Sequence, residues 1–104
     1  MEFENVKLVG EANVYFGGAV SSRTFYEADG QKKTLGMVTA GEYEFSTSTI
    51  EEMDLYAGEF EMKLPGETEY TRYVAGDHFT IPCGISFMCR TDTFADYCCT
   101  YVTP

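Results

Sequence analysis

The chain has no tryptophan, a single histidine and only seven basic side chains against seventeen acidic ones. With His78 alone, a metal site built from several imidazoles cannot form. The acidic side chains are spread along the whole chain and give a formal net charge of −10. Nucleic acid and anionic membranes are therefore excluded as partners, because their phosphate groups would be repelled.

Long apolar runs and export signals are also missing. No apolar stretch approaches the roughly 20 residues that span a bilayer, and the start MEFENVKLV has no basic region followed by an apolar one. We therefore expect a cytoplasmic protein in which Cys83, Cys89, Cys98 and Cys99 are reduced core residues. The length of 104 residues predicts one domain, residues 1–104.

Short strand-like segments recur along the chain with turn residues between them, and no amphipathic helix pattern competes with them. Asp29-Gly30 predicts a hairpin, and Leu64-Pro65-Gly66 predicts a type II turn. Residues 1–12 lack turn signals and are expected to form an extra strand or an arm on a partner subunit. The pattern predicts an all-β fold with ten strands, at 13–16, 20–27, 34–38, 42–47, 53–57, 59–64, 69–74, 78–81, 86–90 and 97–102.

The segment from Gly76 to Phe87, GDHFTIPCGISF, carries a recognisable motif. It resembles the second motif of cupin barrels, G(X)5PXG(X)2H, at every position except the last, where Phe87 replaces the metal-binding histidine. Pro82 and Gly84 stand at the tight corner between two strands, where a fixed φ and a missing Cβ are needed. The resemblance implies a cupin-like (jelly-roll) barrel.

The segment from Gly41 to Gly58 occupies the place of the first cupin motif, but it is shorter and lacks both histidines. Alignment on Gly58 places Phe45 and Thr47 at the histidine positions and Glu51 at the acidic position. Alignment on Gly41 places Thr47 and Thr49 at the histidine positions instead. In either register imidazole ligands are missing, so we expect no metal and no other cofactor.

A closer resemblance covers nearly the whole chain, from about residue 13 to residue 102. The strings NVYFGGAVSS, KKTLGMVTAGEYEFST, EEMDLYAGEFEMKLPG and YVAGDHFTIP are similar to the small, metal-free, cupin-type pyrimidine/purine nucleoside phosphorylase family. This resemblance implies a dimeric cytoplasmic enzyme that cleaves purine and pyrimidine nucleosides with phosphate, giving free base and ribose 1-phosphate. The chain departs from the family at Ala19, where Lys is frequent, and at Cys83 and Ile85 in the corner.

Phosphorolysis needs donors for a phosphate dianion, groups that hold the ribose, and a surface for the base. Arg72 and Arg90 lie on predicted strands near the second motif, and Arg23 follows two serines, so these three are the phosphate-binding candidates. Each of them can equally be a surface arginine paired with one of the many carboxylates.

Glu51 is the candidate catalytic carboxylate, which would bind ribose hydroxyls and favour positive charge developing on the sugar. Its neighbour Glu52 would face the other way. The alternative for Glu51 is a solvated carboxylate at a strand end. The candidate nucleoside-binding residues are Tyr43, Phe45, Thr47, Tyr73 and Phe87, because flat aromatic surfaces stack on any base. For Phe45 and Phe87 the alternative is a place in the barrel core.

Two other functions compete with the phosphorylase. A metal-free cupin can hold a small metabolite without turning it over, because fold alone does not imply catalysis. A metal-dependent cupin enzyme is disfavoured by the missing histidines.

Overall fold

The computed structural model describes all residues, 1–104, and is built almost entirely from strands. A short 3-10 turn, Phe16–Gly18, is the one helical element. This confirms the all-β prediction. The seven strands are β1 Lys7–Tyr15, β2 Val20–Tyr26, β3 Lys32–Ser46, β4 Ile50–Lys63, β5 Thr71–Val74, β6 His78–Ile81 and β7 Ser86–Val102.

The strands form one antiparallel sheet in the order β1-β2-β3-β7-β4-β5, and β6 pairs with β4. The sequence predicted ten strands, and the number is wrong because three predicted pairs are continuous. Segments 34–38 and 42–47 belong to β3, segments 53–57 and 59–64 belong to β4, and segments 86–90 and 97–102 belong to β7. These long strands bend, and their hydrogen-bond ladders resume after each irregularity.

The bend of β4 depends on a glycine. The register between β4 and β7 shifts on either side of Gly58, whose φ is +80°. A Cβ at this position would overlap the carbonyl oxygen of Phe94 on β7. Gly58 therefore turns the strand inside the sheet, where the alternation of the sequence suggested a break between two strands.

The bends divide the sheet into two halves that share one core. The first half contains Val38, Met53 and Ile81, and the second contains Phe60 and Phe87; all are buried in the same hydrophobic cluster. Because β3, β4 and β7 run through both halves, the same three strands line opposite sides of the interior. Their inward-facing side chains define the site described below.

Hydrogen bonds close both of the turns that the sequence predicts. The hairpin between β2 and β3 closes through Gly30, whose amide donates to Glu27 O at 2.8 Å. The amide of Glu67 donates to Leu64 O at 3.0 Å, which closes the turn at Pro65-Gly66. Residues 7–15 form β1 on β2, so the predicted extra strand begins at Lys7. None of the helical segments is long and apolar enough to cross a bilayer.

Candidate functional site

A cavity of about 280 Å³ opens inside the barrel. Its walls come from β2, β3, β4, β6 and β7, together with Tyr15 at the end of β1. Most of the lining is apolar, but a carboxylate, an ammonium group and several hydroxyls also reach it. The polar side chains of the lining are those of Tyr15, Ser22, Lys32, Ser46, Ser48, Glu51, Tyr97 and Tyr101.

Glu51 is the only carboxylate that lines the cavity. It lies on β4 directly opposite Tyr101 of β7, and the Sγ of Cys99 donates to its Oε1 at 3.5 Å. Burial raises the pKa of the Glu51 carboxyl, while the Cys99 hydrogen bond and the charge of Lys32 act in the opposite direction. A carboxylate that is costly to ionise is therefore held against the cavity, which is typical of functional acids.

Lys32 is the only cationic side chain in the cavity wall. It is the first residue of β3, and strand alternation places it on the same face as Thr34 and Val38, which are buried. Its Nζ lies 4.8 Å from the centroid of the Tyr101 ring. Lys32 takes part in none of the five ion pairs of the protein.

Two tyrosines of β7 present hydroxyls near this charged pair. Burial raises the pKa of both Tyr97 and Tyr101, so both hydroxyls are protonated at neutral pH and can donate hydrogen bonds. The Tyr101 hydroxyl lies 3.1 Å from Thr34 Oγ1. Tyr97 packs directly over Gly36, where a Cβ would overlap its ring. The absent side chain at position 36 therefore gives Tyr97 the space to lie along the cavity wall.

The aromatic part of the cavity surrounds Phe45. The Phe45 ring lies 6.3 Å from Phe87 in a stacked arrangement and 5.7 Å from Tyr15 in an edge-to-face arrangement, measured between centroids. Phe16 covers it from the 3-10 turn at 5.3 Å and is half exposed. Flat apolar faces therefore meet at this side of the cavity.

The residues that line the cavity can be compared with the two possible registers of the first motif. Phe45, Glu51 and Phe87 all line it, whereas Thr47 and Thr49 do not. Alignment on Gly58 accounts for Phe45 and Glu51 but not for Thr47, so the register of the motif stays a prediction.

Three predicted nucleoside-binding residues lie outside the cavity wall. Tyr43 is buried, and its hydroxyl donates to the carbonyls of Thr39 and Ala40 at 3.0 and 3.2 Å. Thr47 donates to Pro82 O at 2.7 Å and holds the corner of the second motif. Tyr73 stacks on a buried phenylalanine of β6, with the ring centroids 3.8 Å apart. Their contacts are those of structural residues.

The three predicted phosphate-binding arginines also lie outside the cavity wall. Arg72, on β5, is 60% exposed and pairs with Glu59 at 2.6 Å. Arg90, on β7, pairs with Glu61 at 2.9 Å and covers the ring of Tyr70. Arg23 donates to the carbonyl of Gly10 at 2.7 Å on the exposed side of β2. Their role in phosphate binding stays a prediction that this placement does not favour.

Glu52 and His78 lie on the outer side of β4 and β6. His78 Nε2 is 2.9 Å from a Glu52 oxygen, and His78 Nδ1 is 2.7 Å from an Asp54 oxygen. These two carboxylates raise the pKa of His78. No group of three His, Cys, Asp or Glu side chains in residues 1–104 is arranged to hold a metal ion.

Sequence reasoning found Glu51, Phe45 and Phe87 but missed Lys32, Tyr97 and Tyr101. Strand alternation contained part of the missing signal, because Tyr97, Cys99 and Tyr101 share one face of β7 and Cys99 is buried. Which strands this face meets depends on the register of β7 with β3 and β4.

Comparisons with known proteins agree on one family. A family model described as pyrimidine/purine nucleoside phosphorylase matches residues 10–101. A pyrimidine/purine nucleoside phosphorylase of Hydrogenovibrio crunogenus is 50% identical over 101 residues, which cover 97% of each chain.

Solved structures support the same fold. A protein of unknown function from Acinetobacter sp. ADP1 superimposes with a TM-score of 0.91 at 35% identity, covering 96% of this chain and 97% of that one. An RmlC-like cupin from Shewanella frigidimarina superimposes with a TM-score of 0.68 at 16% identity, covering 97% of this chain and 86% of that one. This second likeness concerns the fold alone and confirms the predicted cupin-like barrel.

Proposed function

This chain belongs to the pyrimidine/purine nucleoside phosphorylase family, and from that membership we propose that it cleaves purine and pyrimidine nucleosides with phosphate. A phosphate oxygen forms a bond to C1′ of the ribose, and the bond between C1′ and the base nitrogen breaks with its electron pair leaving on the base. The products are the free base and ribose 1-phosphate.

One observation carries the proposal. A single cavity brings together a buried carboxylate, Glu51, an unpaired cation, Lys32, and the stacked rings of Phe45 and Phe87. These are the three kinds of group that phosphorolysis needs, namely a partner for developing positive charge, a partner for an anion and a surface for a base.

Glu51 acts on the ribose. When the bond to the base weakens, positive charge builds at C1′ and the ring oxygen, and a carboxylate fixed nearby stabilises that charge. Because Glu51 is half-buried and burial raises its pKa, its field on the sugar is stronger than it would be in solvent. The same oxygens can accept hydrogen bonds from the ribose hydroxyls.

Phe45 and Phe87 supply the base-binding surface, with Tyr15 at its edge. Stacking uses the π-face that every base has, and no charged side chain lies among these rings. This composition suits an enzyme that accepts both purines and pyrimidines.

The reaction proceeds without a bound metal in this proposal. Aligned on Gly58, the cupin motifs would place histidines at three positions. Two of them have Phe45 and Phe87 in the cavity wall, and the third has Thr47, which lies outside it. Phenyl rings offer no lone pair to a cation. The charge-stabilising groups are therefore side chains of the protein.

The test is release of free base from uridine and inosine by the purified protein, with and without inorganic phosphate, after treatment with a chelator. We expect base and ribose 1-phosphate to form in equal amounts only when phosphate is present. Binding of nucleosides without any base release would support the alternative, a metabolite-binding module. Activity that is lost with the chelator and restored by a divalent metal would overturn the metal-independent mechanism.

We also propose that the enzyme is a cytoplasmic homodimer. Val14, Leu35 and Met37 are 60, 40 and 39% exposed. Val14 pairs with Ser21 of β2, and Ser21 pairs with Met37 of β3, so these apolar side chains lie across neighbouring strands. Arg23 pairs with Leu35 and Asp96 pairs with Met37, so the apolar side chains are bordered by one charge of each sign. An apolar strip with such a border suits contact with a second copy. The four free cysteines are consistent with a reducing compartment.

A further inference from the structure

We infer that Lys32 binds the phosphate substrate, an inference that rests on the proposed phosphorolysis. The ligand class is an inorganic phosphate dianion, held at the end of the cavity where Lys32, Tyr101 and Glu51 approach one another. The arginines expected from the sequence are not part of this phosphate site.

The first argument is the distribution of the seven cations. Arg72, Arg90 and Lys33 are each paired with a glutamate, so binding phosphate would require breaking an ion pair. Arg23 is engaged by a backbone carbonyl, and Lys7 and Lys63 lie over tyrosine rings away from the cavity. Lys32 alone combines a place in the cavity wall with the absence of an anionic partner. Lys32 is exposed to solvent at the edge of the cavity, so its charge is open to an anionic ligand without the loss of an ion pair.

The second argument is access. Lys32 and Tyr101 also line a shallow polar depression at the surface, beside the hairpin residues Asp29 to Gln31. Lys32 therefore lies where the interior cavity meets solvent, so phosphate can reach it without passing the aromatic rings. Asp29 also borders the depression, but its Oδ1 already accepts a hydrogen bond from the Gln31 amide at 2.9 Å.

The third argument is the neighbouring chemistry. Tyr97, Tyr101 and Ser22 present neutral hydroxyls to the same cavity, and such groups can donate hydrogen bonds to phosphate oxygens without adding charge. Lys32 and Glu51 line the same cavity, and the charge of Lys32 acts to lower the pKa of Glu51. We therefore place one bound substrate against both groups. A ribose between them would have phosphate on one side of C1′ and the carboxylate on the other.

The experiment compares Lys32→Met, Lys32→Gln and Lys32→Arg with the control Lys63→Met. Lys63 is a matched control because it is also an unpaired lysine over a tyrosine ring, at 5.0 Å, but lies outside the cavity wall. At saturating nucleoside, the KM for phosphate should rise about tenfold or more in Lys32→Met and Lys32→Gln. The KM for nucleoside should stay within about twofold, and Lys32→Arg should recover part of the loss, because a charge-assisted contact depends on the cation.

Phosphate binding is also measured without nucleoside, by phosphorus NMR titration of the wild type and the variants, with circular dichroism as the check of folding. Wild type that binds phosphate through Lys32 but releases no base would refute the proposed function and leave the phosphate site intact. An unchanged KM and an unchanged phosphate affinity in folded Lys32→Met or Lys32→Gln would overturn the inference. So would a rise in the phosphate KM on Arg72→Ala or Arg90→Ala that exceeds the rise caused by the Lys32 variants.

Discussion

At the residue scale, two adjacent glutamates of β4 show how the alternation of side chains along a strand places one in the cavity and the next on the outer surface. Glu51 faces the cavity and has a pKa raised by burial. Glu52 faces outward, where its carboxylate accepts a hydrogen bond from Thr80 at 2.7 Å and contacts His78. Successive side chains of a strand point to opposite faces, so one residue position decides which carboxylate reaches a substrate.

Glu51→Gln should lower kcat by about 10² to 10³, because it removes a fixed charge that acts mainly in the transition state. The KM for nucleoside should change much less, since Gln keeps the size of the side chain and its hydrogen-bonding reach. Steady-state kinetics with uridine or inosine give both values.

The matched control is Glu52→Gln, which should leave kcat within about twofold because its carboxylate lies on the outer face. The wild-type kcat/KM should also fall on acidification at a pH above 4.5, the ordinary pKa of the carboxyl, because the folded protein without substrate raises the pKa of Glu51. An inactive Glu52→Gln beside an active Glu51→Gln would contradict the assignment.

At the element scale, the cavity depends on strands that bend without leaving the sheet. β4 pairs with β7 on both sides of Gly58, and this continuity lets one strand carry Glu51 in the first half of the barrel and Phe60 in the second. A break at this point would release the two halves from each other. The backbone conformation of one glycine therefore supports the geometry of the whole site.

Gly58→Ala should destabilise the protein strongly, and Gly66→Ala should destabilise it weakly. Both glycines have positive φ, +80° and +84°, so a Cβ costs about 1 to 2 kcal/mol at either position. A Cβ at Gly66 meets open space, whereas one at Gly58 overlaps the backbone of Phe94. In thermal unfolding, each kcal/mol of lost stability should lower the Tm by about 4 to 8 °C.

For Gly66→Ala the fall in Tm should match a loss of about 1 to 2 kcal/mol, the cost of a Cβ at positive φ. For Gly58→Ala it should exceed that range, or the variant should fail to fold. Equal losses of Tm in the two variants would mean that β4 can relax away from Phe94, and the bend would then not require glycine.

At the scale of the whole molecule, charge and exposed apolar surface have different consequences. The net charge of −10 repels polyanions. Phosphate is also an anion, so its binding needs a cation close to the site. Val14, Leu35 and Met37 are exposed on neighbouring strands, with Arg23 paired to Leu35 and Asp96 paired to Met37. Such a strip is the natural place for contact between two copies.

Replacing Leu35 and Met37 together by glutamate should convert the protein from dimer to monomer, because each added carboxylate would lose its hydration in an apolar interface. Sedimentation equilibrium should give twice the 11.7 kDa of one chain for the wild type and a single chain for the variant. The control is Val74→Glu, another exposed apolar residue, on β5, which should leave the dimer intact. A wild type that sediments as a monomer would refute the proposed dimer.

Local sequence patterns were enough to predict the fold class and part of the site. The alternation of apolar and polar residues and the turn residues between such segments predicted the strands. Both signals depend only on neighbours along the chain. The resemblance to the two cupin motifs predicted Glu51, Phe45 and Phe87 as site residues, and all three line the cavity. Each motif is a short continuous segment, Gly41 to Gly58 and Gly76 to Phe87, so it can be recognised without knowing which strands pair.

The remaining features were decided by contacts between distant parts of the chain. Lys32, Glu51 and Tyr101 line one cavity because β7 lies between β3 and β4, although β7 is far from both strands in sequence. The arginines could not be placed from sequence because a cation binds phosphate or a carboxylate according to which partner the fold brings near. Alternation assigns a side chain to a face of its strand, but strand pairing and bends determine what that face meets.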